Sequence, residues 1–200
     1  MRLFIATDLP DSLIPTIADV QHRLCSGAKS ARWVRPESMH LTLKFLGETA
    51  KDRVETVDEQ LRQVRAQPFK VKVSGVGFFP SARVPRVFWM GIESRAFREL
   101  AEQVDKQTMK LGFPPEKRPF RPHLTLARSR REHRLEPALV EESSQFSGRE
   151  FATFTTDRFG MYQSIQTPDG AAYERMFEYP LVRNRLGRTT AEQRSDYRTQ

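Results

Sequence analysis

The tetrapeptide His-Leu-Thr-Leu occurs twice in this chain, at His40 and again at His123, 83 positions apart in 200 residues that hold only four histidines. Arg-Pro precedes each copy, as Arg35-Pro36 and Arg118-Pro119. Each histidine is followed 37 residues later by a glycine in an apolar run, Gly77 in Val76-Gly77-Phe78-Phe79 and Gly160 in Phe159-Gly160-Met161-Tyr162. Tetrapeptide, flank and glycine spacing together mark a tandem duplication. Such a chain is expected to fold as two related halves, with the repeated polar pair meeting in one site between them.

The pattern between the motifs supports alternating strands and helices. Leu3 to Thr7, Met39 to Leu46, Phe69 towards Phe79, Val87 to Ile92, 120–127, Phe151 to Tyr162 and Ala172 to Tyr179 are predicted strands. Helices are predicted over 12–25, 50–66 and 95–112 and around Leu135 to Val140, the first capped by Asp11 and the last tolerating Pro137 near its start. The plan is β-α-β-α-β twice, an α+β fold of two pseudo-symmetric lobes. Each lobe is expected to be an antiparallel-leaning sheet with outer helices, the two flanking a central cleft. Residues 1–180 form a single bilobal domain in this reading, and 181–200 a polar, basic, disordered tail.

Apolar content of 38% and charged content of 29% suit a water-soluble globular chain and argue against global disorder. Apolar runs fall short of the roughly 18 residues that span a bilayer, so no membrane association is expected. The start MRLFIATDLP reads as a first strand rather than a leader. A single cysteine, Cys25, rules out an internal disulfide and a cysteine metal cluster, and a cytoplasmic enzyme fits. The net charge of +8 is unevenly spread: 117–134 carries +6 and 181–200 carries +3, leaving −1 elsewhere. Positive charge therefore gathers about the second motif, where a phosphate-bearing partner would be drawn.

On a strand, side chains at i and i+2 share a face. His40 and Thr42 therefore face one way, and Leu41, Leu43 and Phe45 the other, into the core; His123 and Thr125 repeat the arrangement. An imidazole titrates near neutrality and can give or take a proton. A threonine hydroxyl beside it can donate to a phosphoryl oxygen. Two such pairs face to face suit attack at phosphorus, one ring deprotonating the nucleophile and the other protonating the leaving oxygen. No cofactor is implied, and no metal-ligand pattern is present in the sequence. Lys44 falls on the face of His40 and could reach a phosphate. Arg128 has the opposite parity to His123, so only a bulge or a strand end would bring it in. His22 and His133 read as surface residues in helical stretches. Trp33, Phe45, Phe79 and Trp89 read as core or rim aromatics that could also stack on a base.

With these motifs in hand, the chain resembles the two-histidine (2H) phosphoesterase superfamily. More closely, it resembles the LigT-like RNA 2′,3′-cyclic phosphodiesterases, also called 2′-5′ RNA ligases. The segments that carry the likeness are RLFIATDLP, WVRPESMHLTLKFLG and RPFRPHLTLAR. The resemblance implies a bilobal fold with both motifs in one cleft, and hydrolysis of 2′,3′-cyclic phosphate RNA ends to 2′-phosphomonoesters. It assigns His40 as proton donor, His123 as proton acceptor, Thr42 and Thr125 as phosphate-binding residues and Arg128 as a substrate contact. It also implies ATP-independent 2′-5′ joining, with an RNA hydroxyl replacing water. The expected partner is RNA with cyclic phosphate ends, tRNA fragments included, acted on by a monomer. The alternatives are a phosphodiesterase for small cyclic nucleotides or 2′-5′ oligoadenylates, and a non-catalytic module that binds RNA ends.

Overall fold

The computed structural model describes residues 1–28, 31–116, 119–130, 133–167 and 170–182. Lys117, Arg118 and Arg131 of the basic stretch, and the tail after Val182, lie outside the described residues. The strands are β1 (Arg2–Asp8), β2 (Ala31–Trp33), β3 (His40–Glu48), β4 (Phe69–Ser81), β5 (Val84–Glu93), β6 (His123–Ser129), β7 (Glu150–Thr156), β8 (Arg158–Thr167) and β9 (Gly170–Pro180). The α-helices are α1 (Ile14–Leu24), α2 (Val54–Leu61), α3 (Arg95–Met109) and α4 (Pro137–Ser143). One sheet has the order β3-β1-β8-β9 and the other β2-β6-β5-β4-β7, with antiparallel pairing throughout. The fold is α+β. No helix among the described residues is long and apolar enough to cross a membrane.

The helices form where apolar residues recur at helical spacing and bury one stripe. In α1 that stripe is Ile17, Val20 and Leu24; in α3 it is Phe97, Leu100, Ala101 and Val104. Ser94 caps α3, its hydroxyl accepting from the Phe97 amide at 3.3 Å. Asp11 does not cap α1 as expected: Pro10 leads into a 3-10 turn over Asp11–Leu13, and the helix runs on from it without a side-chain cap. The second helix is shorter than 50–66, α2 being flanked by a 3-10 turn over Lys51–Arg53 and ending at Leu61. A continuous core links both sheets and all four helices, from Leu3 and Ile5 through Phe88 and Met90 to Leu139 and Phe159. Leu181 belongs to it, and the Val182 amide donates to the Ala66 carbonyl, so the packed chain runs two residues past the expected limit at 180.

The duplication is visible in the strand register. Phe4 pairs with Phe45 and Ala6 with Thr42 in one sheet; Val87 pairs with Arg128 and Trp89 with Thr125 in the other. Each second pair lies 83 positions on from the first. The third strand, however, is exchanged. Ala6 pairs with Gly160, from the second half of the chain, and Trp89 pairs with Gly77, from the first. Each sheet therefore mixes both halves of the sequence. The expected strand Phe151 to Tyr162 is broken at Asp157, and its parts, β7 and β8, enter different sheets. Both repeated glycines sit beneath an aromatic ring. A Cβ on Gly77 would come within 2.4 Å of Trp89, and one on Gly160 within 2.8 Å of Tyr162.

Candidate active site

Strands β3 and β6 carry the repeated motifs, and both show the same local irregularity. Leu43 is an extra residue between the pairs Ile5–Lys44 and Ala6–Thr42, and Leu126 is an extra residue between Phe88–Ala127 and Trp89–Thr125. Such a bulge reverses the in-out alternation beyond it. Up to the bulge, parity holds as expected, with Leu41 and Leu124 in the core and His40, Thr42, His123 and Thr125 on the other face. Past it, two expectations are overturned and one condition is met. Lys44 turns inward, 6% exposed, and its ammonium meets the Asp105 carboxylate and, at 2.9 Å, the Pro114 carbonyl. It is a structural ion pair between β3 and α3 and does not line the site. Phe45, expected in the core, turns outward and is 63% exposed. Arg128 occupies the place equivalent to Phe45, brought to the site by the bulge that its parity required.

His40, Thr42, His123, Thr125 and Arg128 line one cavity of about 540 Å³. Phe4 on β1, Phe45 on β3 and Tyr173 on β9 complete its wall, and Arg2, Ser164 and Gln166 extend it along β1 and β8. The Nδ1 of each histidine faces the carbonyl two residues before it: His40 faces Ser38 at 3.3 Å, and His123 faces Arg121 at 2.7 Å. A carbonyl only accepts, so each contact assigns the proton to Nδ1 and leaves Nε2 free to exchange a proton. Aromatic rings fix both imidazoles. His40 stacks on Phe4 at 4.5 Å and meets the edge of Tyr173 at 4.8 Å; His123 meets Phe79 at 4.8 Å and Trp89 at 6.4 Å. Phe79 and Trp89 are thus rim residues of the site, whereas Trp33 packs edge-on against buried Phe88. His22 lies exposed on α1, and His133 lies exposed in a loop rather than a helix.

Electrostatics separate the two halves. Burial lowers His40 to about 4, against the upward pull of the Ser38 carbonyl and of the Asp8 carboxylate, while Arg128 pushes it further down. Burial also lowers His123, opposed by the Arg121 carbonyl and assisted by Arg128. Both rings are therefore neutral at pH 7 without an anion between them. Asp8 stands opposite His40 across the β1–β3 ladder, held by the Tyr162 hydroxyl at 2.6 Å and by Arg175 at 2.9 Å. The equivalent neighbour of His123 is Gly91, which has no charge to offer. Arg128 Nη2 comes within 3.5 Å of the Thr125 hydroxyl, joining a cation to the second motif. Among the described residues no group of three or more His, Cys, Asp and Glu side chains converges as a metal site would require.

The sequence reasoning did not single out Asp8, Phe4, Tyr162, Tyr173 or Arg2. For Arg2, Phe4 and Asp8 a signal existed, because alternation along RLFIATD puts them on one face. Tyr162 and Tyr173 arrive on strands paired from the far end of the chain, and no local pattern points to them.

Comparison with known proteins agrees with this geometry. The model of the LigT like Phosphoesterase family matches twice, over residues 8–89 and 92–173. An RNA 2′,3′-cyclic phosphodiesterase of Archaeoglobus fulgidus is 37% identical over 181 residues, covering 89% of this chain and 100% of the relative. One of Thermotoga maritima, with the same name, is 35% identical, covering 89% and 94%. Among solved structures, a Thermus thermophilus protein superposes with a TM-score of 0.77 at 27% identity, over 90% of this chain and 98% of that one. Escherichia coli LigT complexed with 3′-AMP shares the fold, with a TM-score of 0.72 at 24% identity over 91% and 98%. Two matched halves, each contributing one His-x-Thr pair to a common cavity, and relatives aligned along nearly their whole length lead to one assignment: this chain belongs to the LigT-like phosphoesterase family.

Proposed function

We propose that this protein is an RNA 2′,3′-cyclic phosphodiesterase that opens the cyclic phosphate at an RNA 3′ end to a 2′-phosphomonoester. The observation that carries the reading is the meeting of both His-x-Thr pairs and Arg128 in one cavity; the names of the relatives support the substrate. His123 takes a proton from water at Nε2 as the water oxygen attacks phosphorus. The bond from phosphorus to O3′ breaks, and His40 delivers a proton to that oxygen. Thr42, Thr125 and Arg128 hold the non-bridging oxygens, whose charge grows in the transition state. The bound phosphate supplies the negative charge that protonates one ring, and the Asp8 carboxylate beside His40 offsets part of the lowering that burial imposes on that ring. No step calls for a metal or cofactor. With an RNA 5′-hydroxyl in place of water, the same ring opening joins ends through a 2′-5′ linkage.

The proposal extends to a cytoplasmic monomer acting on RNA ends, tRNA fragments among them. A small cyclic nucleotide or a 2′-5′ oligoadenylate would use the same groups and is the second reading. The test is turnover of a 2′,3′-cyclic-phosphate RNA in the presence of chelator, with the product identified as 2′- or 3′-phosphate. His40→Ala and His123→Ala should each lower the rate about 10²–10⁴-fold with folding retained. Tight binding without turnover across pH 5 to 9 would instead indicate a binding module.

A further inference from the structure

We infer that Arg2, with Ser164 and Gln166 beside it, forms a second anion subsite that receives the phosphate on the 5′ side of the terminal nucleoside. This inference rests on the proposed function and names what lies upstream of the reacting phosphate.

The cavity holding both histidines does not end at them. It continues over the β3-β1-β8 surface past Phe4 and Phe45 to Arg2, Ser164 and Gln166. Arg2 and Phe4 share a face of β1, and Arg2 pairs directly with Ser164 on β8. Ala6 stands opposite Thr42, so Arg2 lies four residues further along β1 from the reacting phosphate. At the rise of an extended strand that is about 13 Å. An arginine side chain is long enough to shorten that gap to the span of one nucleoside. Between the two ends lie Phe45, 63% exposed, and Tyr173, 38% exposed, as apolar footing for a ribose or base. Cation, aromatic surface and a second cationic site in line form the arrangement that tracks single-stranded nucleic acid.

Arg2 is also available. Among the described residues it makes no ion pair or hydrogen bond through its guanidinium. Its cross-strand neighbour Glu48 is directed to the N-terminal amine at 3.6 Å. An exposed cation without a partner at the rim of a cavity that takes a polyanion has an evident ligand. The equivalent position on β5 is Pro85, so the duplicated half offers no second arginine there. The subsite is therefore one-sided and gives the cleft a direction, with the 5′ side of the RNA running over β1 and β8.

The experiment compares adenosine 2′,3′-cyclic phosphate bearing a 5′-hydroxyl, the same compound bearing a 5′-phosphate, and a dinucleotide ending in the same cyclic nucleoside. Wild-type protein should prefer the two with a 5′ phosphate. In Arg2→Ala the ratio of kcat/KM for the phosphorylated to the 5′-hydroxyl substrate should fall about fivefold, mostly through KM, as for one exposed ion pair. The salt dependence for the dinucleotide should weaken by about one ion. An unchanged ratio overturns the subsite. A fall with the dinucleotide but not with the 5′-phosphate mononucleotide assigns it to an internucleotide diester; a fall with both assigns it to either phosphate. If the wild type opens none of the three, the proposed function fails, and binding then decides the subsite separately. Anisotropy of a labelled dinucleotide ending in a 3′-phosphate should show weaker binding to Arg2→Ala, and equal binding would overturn it.

Discussion

At the scale of single residues, the two histidines are alike in backbone and unlike in surroundings. Each directs Nδ1 to the carbonyl two residues earlier, and each is lowered by burial. A carboxylate stands beside one only, Asp8 against Gly91. This breaks the symmetry that a duplicated sequence would otherwise impose on a reaction needing one acid and one base. Asp8→Asn should lower the affinity of His40 for its proton, moving the limb of the kcat/KM pH profile that His40 sets to lower pH. The limb set by His123 should stay in place. A uniform fall in rate at all pH values would mean that Asp8 acts only structurally, through Tyr162 and Arg175.

At the scale of elements, one extra residue in each motif strand decides which side chains meet substrate. The bulge at Leu43 sends Lys44 to the core and Phe45 to the cavity, and the bulge at Leu126 sends Arg128 to the cavity. Lys44→Ala removes one partner of a largely buried ion pair and leaves the Asp105 carboxylate without its cation. Stability should fall by about 2 kcal/mol, below the usual cost of breaking a buried pair because Asp105 is a quarter exposed. Urea unfolding reads that loss. The KM of the folded variant should be unchanged, since Lys44 does not reach the cavity; a raised KM would return it to the substrate. Alternation placed His40, Thr42, His123 and Thr125 correctly because they precede the bulge. It misplaced Lys44 and Phe45 because an unpaired residue in the ladder has no local signature in the sequence.

At the scale of the whole molecule, each sheet is completed by a strand from the opposite half of the chain. The two lobes cannot separate without unpairing β4 from β5 and β1 from β8, which holds the histidines at a fixed separation. Burying both rings in this shared cleft also couples stability to pH. Their folded affinities for protons lie below the unfolded value, so the unfolded chain takes up protons first. Stability is full above the unfolded pKa near 6.5 and declines as pH falls towards about 4. The urea midpoint should be lower at pH 5 than at pH 7, and the drop should be smaller in His40→Gln. An equal drop in wild type and variant would assign the acid sensitivity to other groups.

The duplication, the apolar period of most elements, the fold class and the two His-x-Thr pairs were legible from residues alone. All depend on short-range alternation or on repeated words in the chain. The exchange of β4 and β8 between sheets, the inward turn of Lys44 and the arrival of Asp8, Tyr162 and Tyr173 around His40 were decided only in three dimensions. They depend on contacts across as many as 167 positions, as between Arg175 and Asp8, and on bulges that shift register. Register is settled by which faces the assembled core buries, and that choice exists only once both sheets are in place.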